Sequence, residues 1–281
     1  MNLGQLLCWI AFFAALVAGL AFLAATGGRE GAWRPARWAF RVQWLALAGA
    51  TAFLWAILFN HQFQYQYVAS YSSRAMPPHY IYAAFWGGQE GTFLLWALIT
   101  CTLGLVLMRF KHALTAPAMF FLNLPLVMLA LVTVMRGPFL VFPGGRVPID
   151  GQGLNPLLQD PWMTIHPPVL FIGFSSLVAP FAIAMAALVR RDYDGWVKVV
   201  LPWCVFSVGI LATGFIVGLA TFGFAGAAHA APAEPNDAAC FGQIHKTINT
   251  EGALGFTNVG DVVKAVGGQT KNEIARGICG D

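Results

Sequence analysis

His166 is the residue of this sequence best placed to bind a metal. It ends a polar, proline-rich segment, residues 155–166, and is followed by Pro167, Pro168 and a long apolar run. Proline suits the first turn of a helix and disfavours helical backbone in the residue before it, so we expect a helix to begin at Pro167 with His166 at its entrance. The partial positive charge of a helix N-terminus keeps imidazole neutral, the form that binds a metal. The pattern indicates a candidate axial ligand, although a histidine at a membrane interface also commonly bonds to water or a carbonyl.

A second candidate site lies at residues 86–92, whose sequence is WGGQEGT. Trp86 and Glu90 stand there among three glycines, just before an apolar run that begins at Phe93. Glycines at a helix entrance let the backbone approach a ligand closely, and a carboxylate at the edge of a membrane is typical of a functional position. A turn at the membrane interface has the same pattern, so the residues alone are compatible with either a ligand site or a structural turn.

The elements that position these two segments are predicted to be membrane-spanning helices. The 281 residues are 58% hydrophobic and 10% charged, and several apolar runs approach the length that crosses hydrocarbon. We expect six spans, at residues 3–25, 42–59, 93–108, 117–134, 167–188 and 199–222. The predicted fold class is all-α: a polytopic transmembrane helix bundle of about six spans with a small external C-terminal module.

The basic residues predict how the spans are oriented. The net charge of +4 is no sign of nucleic-acid binding, because the basic residues are scattered at the ends of apolar runs, where they suit membrane lipid. Lysine and arginine concentrate in residues 27–41, 109–111 and 190–198, which the positive-inside rule places in the cytoplasm as loops and turns. Residues 61–90, 136–166 and 227–281 are then external, together with the N-terminus.

The composition changes after the sixth span. Residues 227–238 are rich in alanine and proline, and Ala228-His229-Ala230 resembles a signal-peptidase site, so release of the tail by cleavage is one hypothesis. The tail is polar and glycine-rich, and two external cysteines bound it, which predicts a Cys240–Cys279 disulfide. We divide the chain into a membrane domain, residues 1–226, a linker, residues 227–238, and a small external module, residues 239–281.

The other cysteines, Cys8, Cys101 and Cys204, lie in apolar runs without a second cysteine at metal-ligand spacing. They are typical of small buried apolar residues. The sequence has neither CxxC nor CxxCH, so it indicates neither a redox dithiol nor a covalently attached haem of its own.

Two motifs resemble a known family. Residues 86–96, WGGQEGTFLLW, and residues 153–168, GLNPLLQDPWMTIHPP, are similar to the N-terminal part of the cytochrome c biogenesis haem lyases of the CcmF/NrfE type. The resemblance covers about residues 1–215. In that family the histidine of the IHPP motif is one of two external histidines that hold haem, so the resemblance implies that His166 is a ligand of b-type haem iron. The matching motifs also contain the remaining candidate haem-site residues, Trp86, Glu90, Asp160 and Trp162.

The resemblance implies a role in cytochrome c maturation. The family receives haem from a haem chaperone, works with thiol-reducing subunits and presents haem to the reduced CxxCH thiols of apocytochrome c. The implied location is the bacterial inner membrane, with multiple passes and with both termini in the periplasm. The family's tryptophan-rich segment is absent after the sixth span, as are counterparts of the second external histidine and of the pair that holds a membrane-embedded haem. We therefore expect a subunit or fragment of a haem lyase that binds haem weakly or transiently and is incomplete alone.

A hypothesis of another class is a membrane anchor that displays or releases the module of residues 239–281 without haem chemistry. Soret absorbance of the purified protein distinguishes the two hypotheses, because an anchor predicts none. A small-solute transporter is a weaker third hypothesis. The predicted spans contain no acid or base away from their ends, and neither half of the chain visibly repeats the other.

Overall fold

The structure, a computed structural model, describes residues 1–110, 112–145, 147–155, 158–159 and 161–229. These residues form an all-helical fold. The helices are α1 (Leu3–Thr26), α2 (Trp33–Phe59), α3 (Gln66–Tyr71), α4 (Pro78–Ala83), α5 (Gln89–Leu107), α6 (Thr115–Arg136), α7 (Pro161–Ser176), α8 (Val178–Arg190) and α9 (Trp196–His229). Short 3-10 turns lie at Glu30–Ala32, Ala84–Trp86 and Pro143–Gly145.

Six helical segments within the described residues are long and apolar enough to cross a membrane, which confirms the predicted polytopic bundle. They are Leu3–Thr26, Trp33–Phe59, Gln89–Leu107, Thr115–Arg136, Thr164–Arg190 and Trp196–Leu219. The fifth segment combines most of α7 with α8, which are separated by a break at Leu177. Pro180 explains the break, because proline lacks the N–H that would bond to the carbonyl of Ser176 one turn earlier.

Small side chains let the first helix pack closely in the bundle. Ala11, Ala15 and Ala18 of α1 are fully buried, and α1 packs mainly against α2 and α6. Asn123 of α6 is also buried, and its Nδ2 donates to the carbonyl of Ala15 at 2.7 Å. In a membrane, where lipid competes for apolar contacts, small residues and interhelical hydrogen bonds are the usual means of association.

The bundle has two chemically different ends. We call the end with the connections 60–88 and 137–160 the outer end, and the end with the connections 27–32, 108–114 and 191–195 the inner end. The N-terminus lies at the outer end, because Asn2 Nδ2 donates to the carbonyl of Phe139 at 2.7 Å. The structure thus places the N-terminus beside the two connections predicted to be external.

The two outer connections fold onto each other and form an ordered layer, which we call the outer layer. Tyr65 and Val141 form an isolated antiparallel bridge, and Phe142 N donates to the carbonyl of Gln64 at 3.2 Å. Farther along, Gln152 N donates to the carbonyl of Ala69 at 2.7 Å. These backbone bonds join residues far apart in the chain and hold both candidate motifs over one end of the bundle.

The predicted loop at residues 27–41 is shorter than expected, because α2 begins at Trp33 instead of residue 42. The guanidinium of Arg37 lies 5.9 Å from the Trp33 ring, and that of Arg41 lies 5.2 Å from the Trp38 ring. Residues three and four apart are neighbours on a helix surface, so these cation–π pairs support helical backbone there. The prediction that the second span begins at residue 42, which rested on the charges of residues 27–41, was therefore wrong.

The predicted start of the fifth helix was also wrong. The helix begins at Pro161, so His166 is itself helical and Pro167 and Pro168 lie inside α7. The effect of proline on the preceding residue is a steric preference, which packing can override. Here α7 packs along α5, with the rings of Trp96 and Phe171 6.2 Å apart, and His166 makes a contact with α9 that fixes its position.

Candidate functional site

The ring of His166 is held by a backbone carbonyl on a neighbouring helix. His166 Nδ1 lies 2.9 Å from the carbonyl oxygen of Gly214 in α9, and the side chain is half-buried. A carbonyl oxygen can only accept, so Nδ1 carries a proton, and in the neutral ring Nε2 then holds the lone pair. Histidines that bind metals usually donate their other N–H to a carbonyl or carboxylate in this way. The hydrogen bond to Gly214 therefore selects the tautomer of the neutral ring.

Glycines on α9 make this contact sterically feasible. A Cβ at Gly218 would lie 2.6 Å from His166 Cε1, and one at Gly214 would lie 2.6 Å from a methyl carbon of Leu170. On the opposite helix, a Cβ at Gly173 would lie 2.6 Å from a methyl carbon of Leu211. Gly214 and Gly218 are four residues apart, the spacing at which glycines let two membrane helices approach closely. The glycine pair thus brings the α9 backbone within reach of the His166 ring.

The residues of the first motif form the entrance of α5. Trp86 ends a 3-10 turn, its ring lies edge-on to Tyr82 with centroids 5.3 Å apart, and its Nε1 is buried without a hydrogen-bond partner among the described residues. Glu90 is half-buried in the first turn of α5, where the helix dipole favours a carboxylate. Burial, and to a lesser extent the charge of Glu90, raise the pKa of Tyr71. A buried, unpaired indole N–H remains as a donor at this entrance.

Tyr67 explains part of the glycine content of that motif. Its hydroxyl donates to the carbonyl of Phe85 at 2.7 Å and accepts from Gly88 N at 3.1 Å. A Cβ at Gly91 would collide with the same hydroxyl, and a Cβ at Gly88 would collide with the Tyr71 ring. Burial is the main cause that raises the pKa of Tyr67, so the group stays a neutral donor. The glycines approach two tyrosines, as expected for a packed interfacial turn.

The two motifs meet in the outer layer. A Cβ at Gly87 would lie 2.7 Å from a methyl carbon of Leu154, so glycine is needed where the segments touch. Gln159 Nε2 donates to the carbonyl of Leu154 at 2.8 Å, and Tyr80 donates to the carbonyl of Gln159 at 2.7 Å. Sequence reasoning did not identify Tyr67, Tyr71 or Tyr80 as positioning residues, although their aromatic segment was noticeable. Nothing local to that segment indicates which carbonyls its hydroxyls reach.

The other candidate residues have separate positions. Trp162 lies in the first turn of α7 with 40% of its surface exposed. The described residues show no hydrogen bond or ring contact between His166 and either Trp86 or Glu90, and no cluster of three or more His, Cys, Asp or Glu that could hold a metal ion. Asp160, Cys240 and Cys279 lie outside the described residues.

Comparison with known proteins gives consistent matches. Residues 86–235 match the family described as Cytochrome C assembly protein. The cytochrome c-type biogenesis protein CcmF of Pseudomonas aeruginosa is 36% identical over 216 residues, which cover 67% of this chain and 30% of that protein. NrfE of Haemophilus influenzae is 31% identical over 218 residues, which cover 72% of this chain and 33% of NrfE. A solved structure of the cytochrome c haem lyase CcmF superposes with a TM-score of 0.65 at 26% identity, covering 75% of this chain and 34% of that one. The chain spans about a third of the length of these relatives.

Proposed function

Because the chain belongs to the cytochrome c assembly protein family, of the CcmF/NrfE type, we propose that it binds haem at the outer end of its bundle during cytochrome c maturation. The observation that supports this most is the His166–Gly214 hydrogen bond, which leaves Nε2 as the lone-pair donor of a pre-oriented imidazole. The matched family region includes both motifs, so the anchor hypothesis is not favoured.

His166 on α7 is the residue that would hold a haem iron, through Nε2 of its neutral ring. Histidine is a common protein ligand of haem iron. Bound haem would supply the group that is attached to the CxxCH thiols of apocytochrome c. The part of this chain is to hold the iron through His166 Nε2, with Gly214 fixing the ring and Gly218 leaving room for it. Trp86, Glu90, Asp160 and Trp162 are proposed to contribute to the same outer site.

This chain matches about a third of the length of its relatives. We propose a subunit or part of a haem lyase, whose second ligand and tryptophan-rich surface come from the rest of the assembly. The proposed partners are a haem chaperone, thiol-reducing subunits and apocytochrome c. The proposed location is the bacterial inner membrane with the outer end in the periplasm, since the inner end carries most of the lysine and arginine.

Haem titration of the full chain in detergent tests this function. The wild type is compared with His166→Ala and with His79→Ala, whose side chain is exposed on α4 at the same end. Weak haem binding, detected as a Soret band on titration, is expected in the wild type and in His79→Ala; it should be lost in His166→Ala and restored there by added imidazole. Equal haem retention with and without His166 would remove the ligand assignment. Maturation of cytochrome c in cells that lack any other haem lyase would contradict the proposal that this chain is only part of a haem lyase.

A further inference from the structure

A cavity at the inner end is lined by three arginines and three tryptophans. It has a volume of about 910 Å³ and lies between the start of α2 and the connection from α5 to α6. The charged and tryptophan side chains of the lining are Trp33, Arg37, Trp38, Arg41, Trp44 and Arg109. No carboxylate lines it among the described residues. This end is opposite to the proposed haem site, so the cavity has no part in the function proposed above.

The arginines of this cavity have no anionic partner in the described part of the chain. Arg37 and Arg41 are half-buried and lie over the rings of Trp33 and Trp38. Arg37 Nε is buried and makes no hydrogen bond with the described residues. A buried charged donor without an acceptor is costly, and guanidinium groups bind phosphate oxygens through pairs of parallel hydrogen bonds. Three guanidinium groups around one space, one of them with a buried unpaired N–H, favour a phosphate-bearing anion.

An apolar cleft adjoins the arginine-lined cavity. It has a volume of about 250 Å³ and shares Phe110, His112 and Thr115 with the larger space. The rest of its wall is mainly apolar and includes Leu107, Pro202 and Trp203. A phosphate group beside a continuous apolar cleft matches an amphiphile, whereas free phosphate has nothing to place in the cleft.

We propose that the inner end of the bundle binds an anionic phospholipid, with the phosphodiester among Arg37, Arg41 and Arg109 and an acyl chain in the adjoining cleft. Tryptophans at the ends of membrane helices lie at headgroup depth, and Trp44 is fixed there because its Nε1 donates to Thr102 Oγ1 at 2.9 Å. Basic pockets between membrane helices on the cytoplasmic side are typical sites for anionic lipid headgroups. The lipid would occupy the cytoplasmic leaflet in the proposed orientation.

Native mass spectrometry of the full, delipidated chain tests the site. It is titrated with phosphatidylglycerol and with phosphatidylcholine of the same acyl chains, and phosphatidylglycerol should be retained preferentially. The double variant Arg37→Gln, Arg41→Gln should bind phosphatidylglycerol roughly tenfold or more weakly, given the usual effect of basic groups near an anionic membrane surface. Arg109→Gln, on an exposed turn, should weaken binding with little effect on folding.

Arg34→Gln is the matched control, because Arg34 is exposed on the same helix and does not line the cavity. It should bind phosphatidylglycerol like the wild type, and equal weakening by Arg34→Gln would show a general charge effect and overturn the proposal. Inorganic phosphate and glycerophosphoglycerol serve as probes without acyl chains. Binding of either as tightly as phosphatidylglycerol would overturn the lipid assignment, as would displacement of phosphatidylglycerol by haem with a Soret shift that depends on Arg37 and Arg41.

Discussion

His166 Nδ1 donates a hydrogen bond of 2.9 Å to the carbonyl of Gly214, which connects the fifth spanning segment to the sixth. The bond fixes the tautomer of the imidazole and the direction in which Nε2 points. A carbonyl inside a helix is a rigid acceptor, because its position is set by the helix backbone. The orientation of His166 is therefore a property of how α7 and α9 pack.

Gly218→Ala should disturb the ligand without removing it. The new Cβ would lie 2.6 Å from His166 Cε1, so the ring must shift from the position in which it bonds to Gly214. We expect haem retention to fall toward that of His166→Ala. Gly209→Ala is the control, because a Cβ at Gly209 of the same helix would meet no atom within 4 Å, while the variant gains the same helix propensity. Full haem retention in Gly218→Ala would show that the ring position is not critical.

Tyr67→Phe should destabilise the outer layer. It removes the hydroxyl that donates to Phe85 and accepts from Gly88 N, and it leaves these buried backbone groups unpaired. We expect a loss of about 1–3 kcal/mol in the free energy of unfolding, measured by denaturant titration in detergent. Tyr193→Phe, at an exposed position of the inner end, should have no measurable effect. A similar loss in both variants would argue against the Tyr67 network.

Cysteine labelling of intact cells checks the orientation. In a cysteine-free background, Ala75→Cys and Ile149→Cys should react from outside, because Ala75 is exposed and Ile149 is 90% exposed in the outer connections. Gly31→Cys, at an exposed inner position, should react only after lysis. Ser72 lies in the same outer connection as Ala75 but is unsuitable for labelling because it is fully buried. The reverse labelling pattern would invert the proposed topology.

The tail should contain an intramolecular Cys240–Cys279 disulfide. The proposed periplasmic location is oxidising, and the other cysteines of the chain lie in spanning segments. Mass spectrometry of unreduced protein should find the two tail peptides joined. Two free thiols in protein taken from that compartment would contradict the prediction.

Hydrophobicity along the chain was sufficient to predict the bundle. Whether a segment can cross a membrane depends on the summed hydrophobicity of about 20 residues of one helix. The apolar runs therefore predicted all six segments without information about which helices pack together. Boundaries were less accurate where side-chain pairs extend a helix beyond its apolar run, as with Arg37 over Trp33 at the start of α2. Those pairs depend on local spacing but not on hydrophobicity.

The two motifs could be located in the sequence, but their contacts could not. His166 was identified by type and by its prolines, yet its partner is Gly214, 48 positions away along the chain. The glycines of the first motif were noticed, yet Tyr67 and Tyr71 are what they approach. The sequence by itself determined the helical membrane fold and the candidate residues, because hydrophobic length and residue chemistry are local. Only the tertiary structure decided which nitrogen of His166 is free, because that depends on which backbone carbonyl a neighbouring helix brings beside the ring.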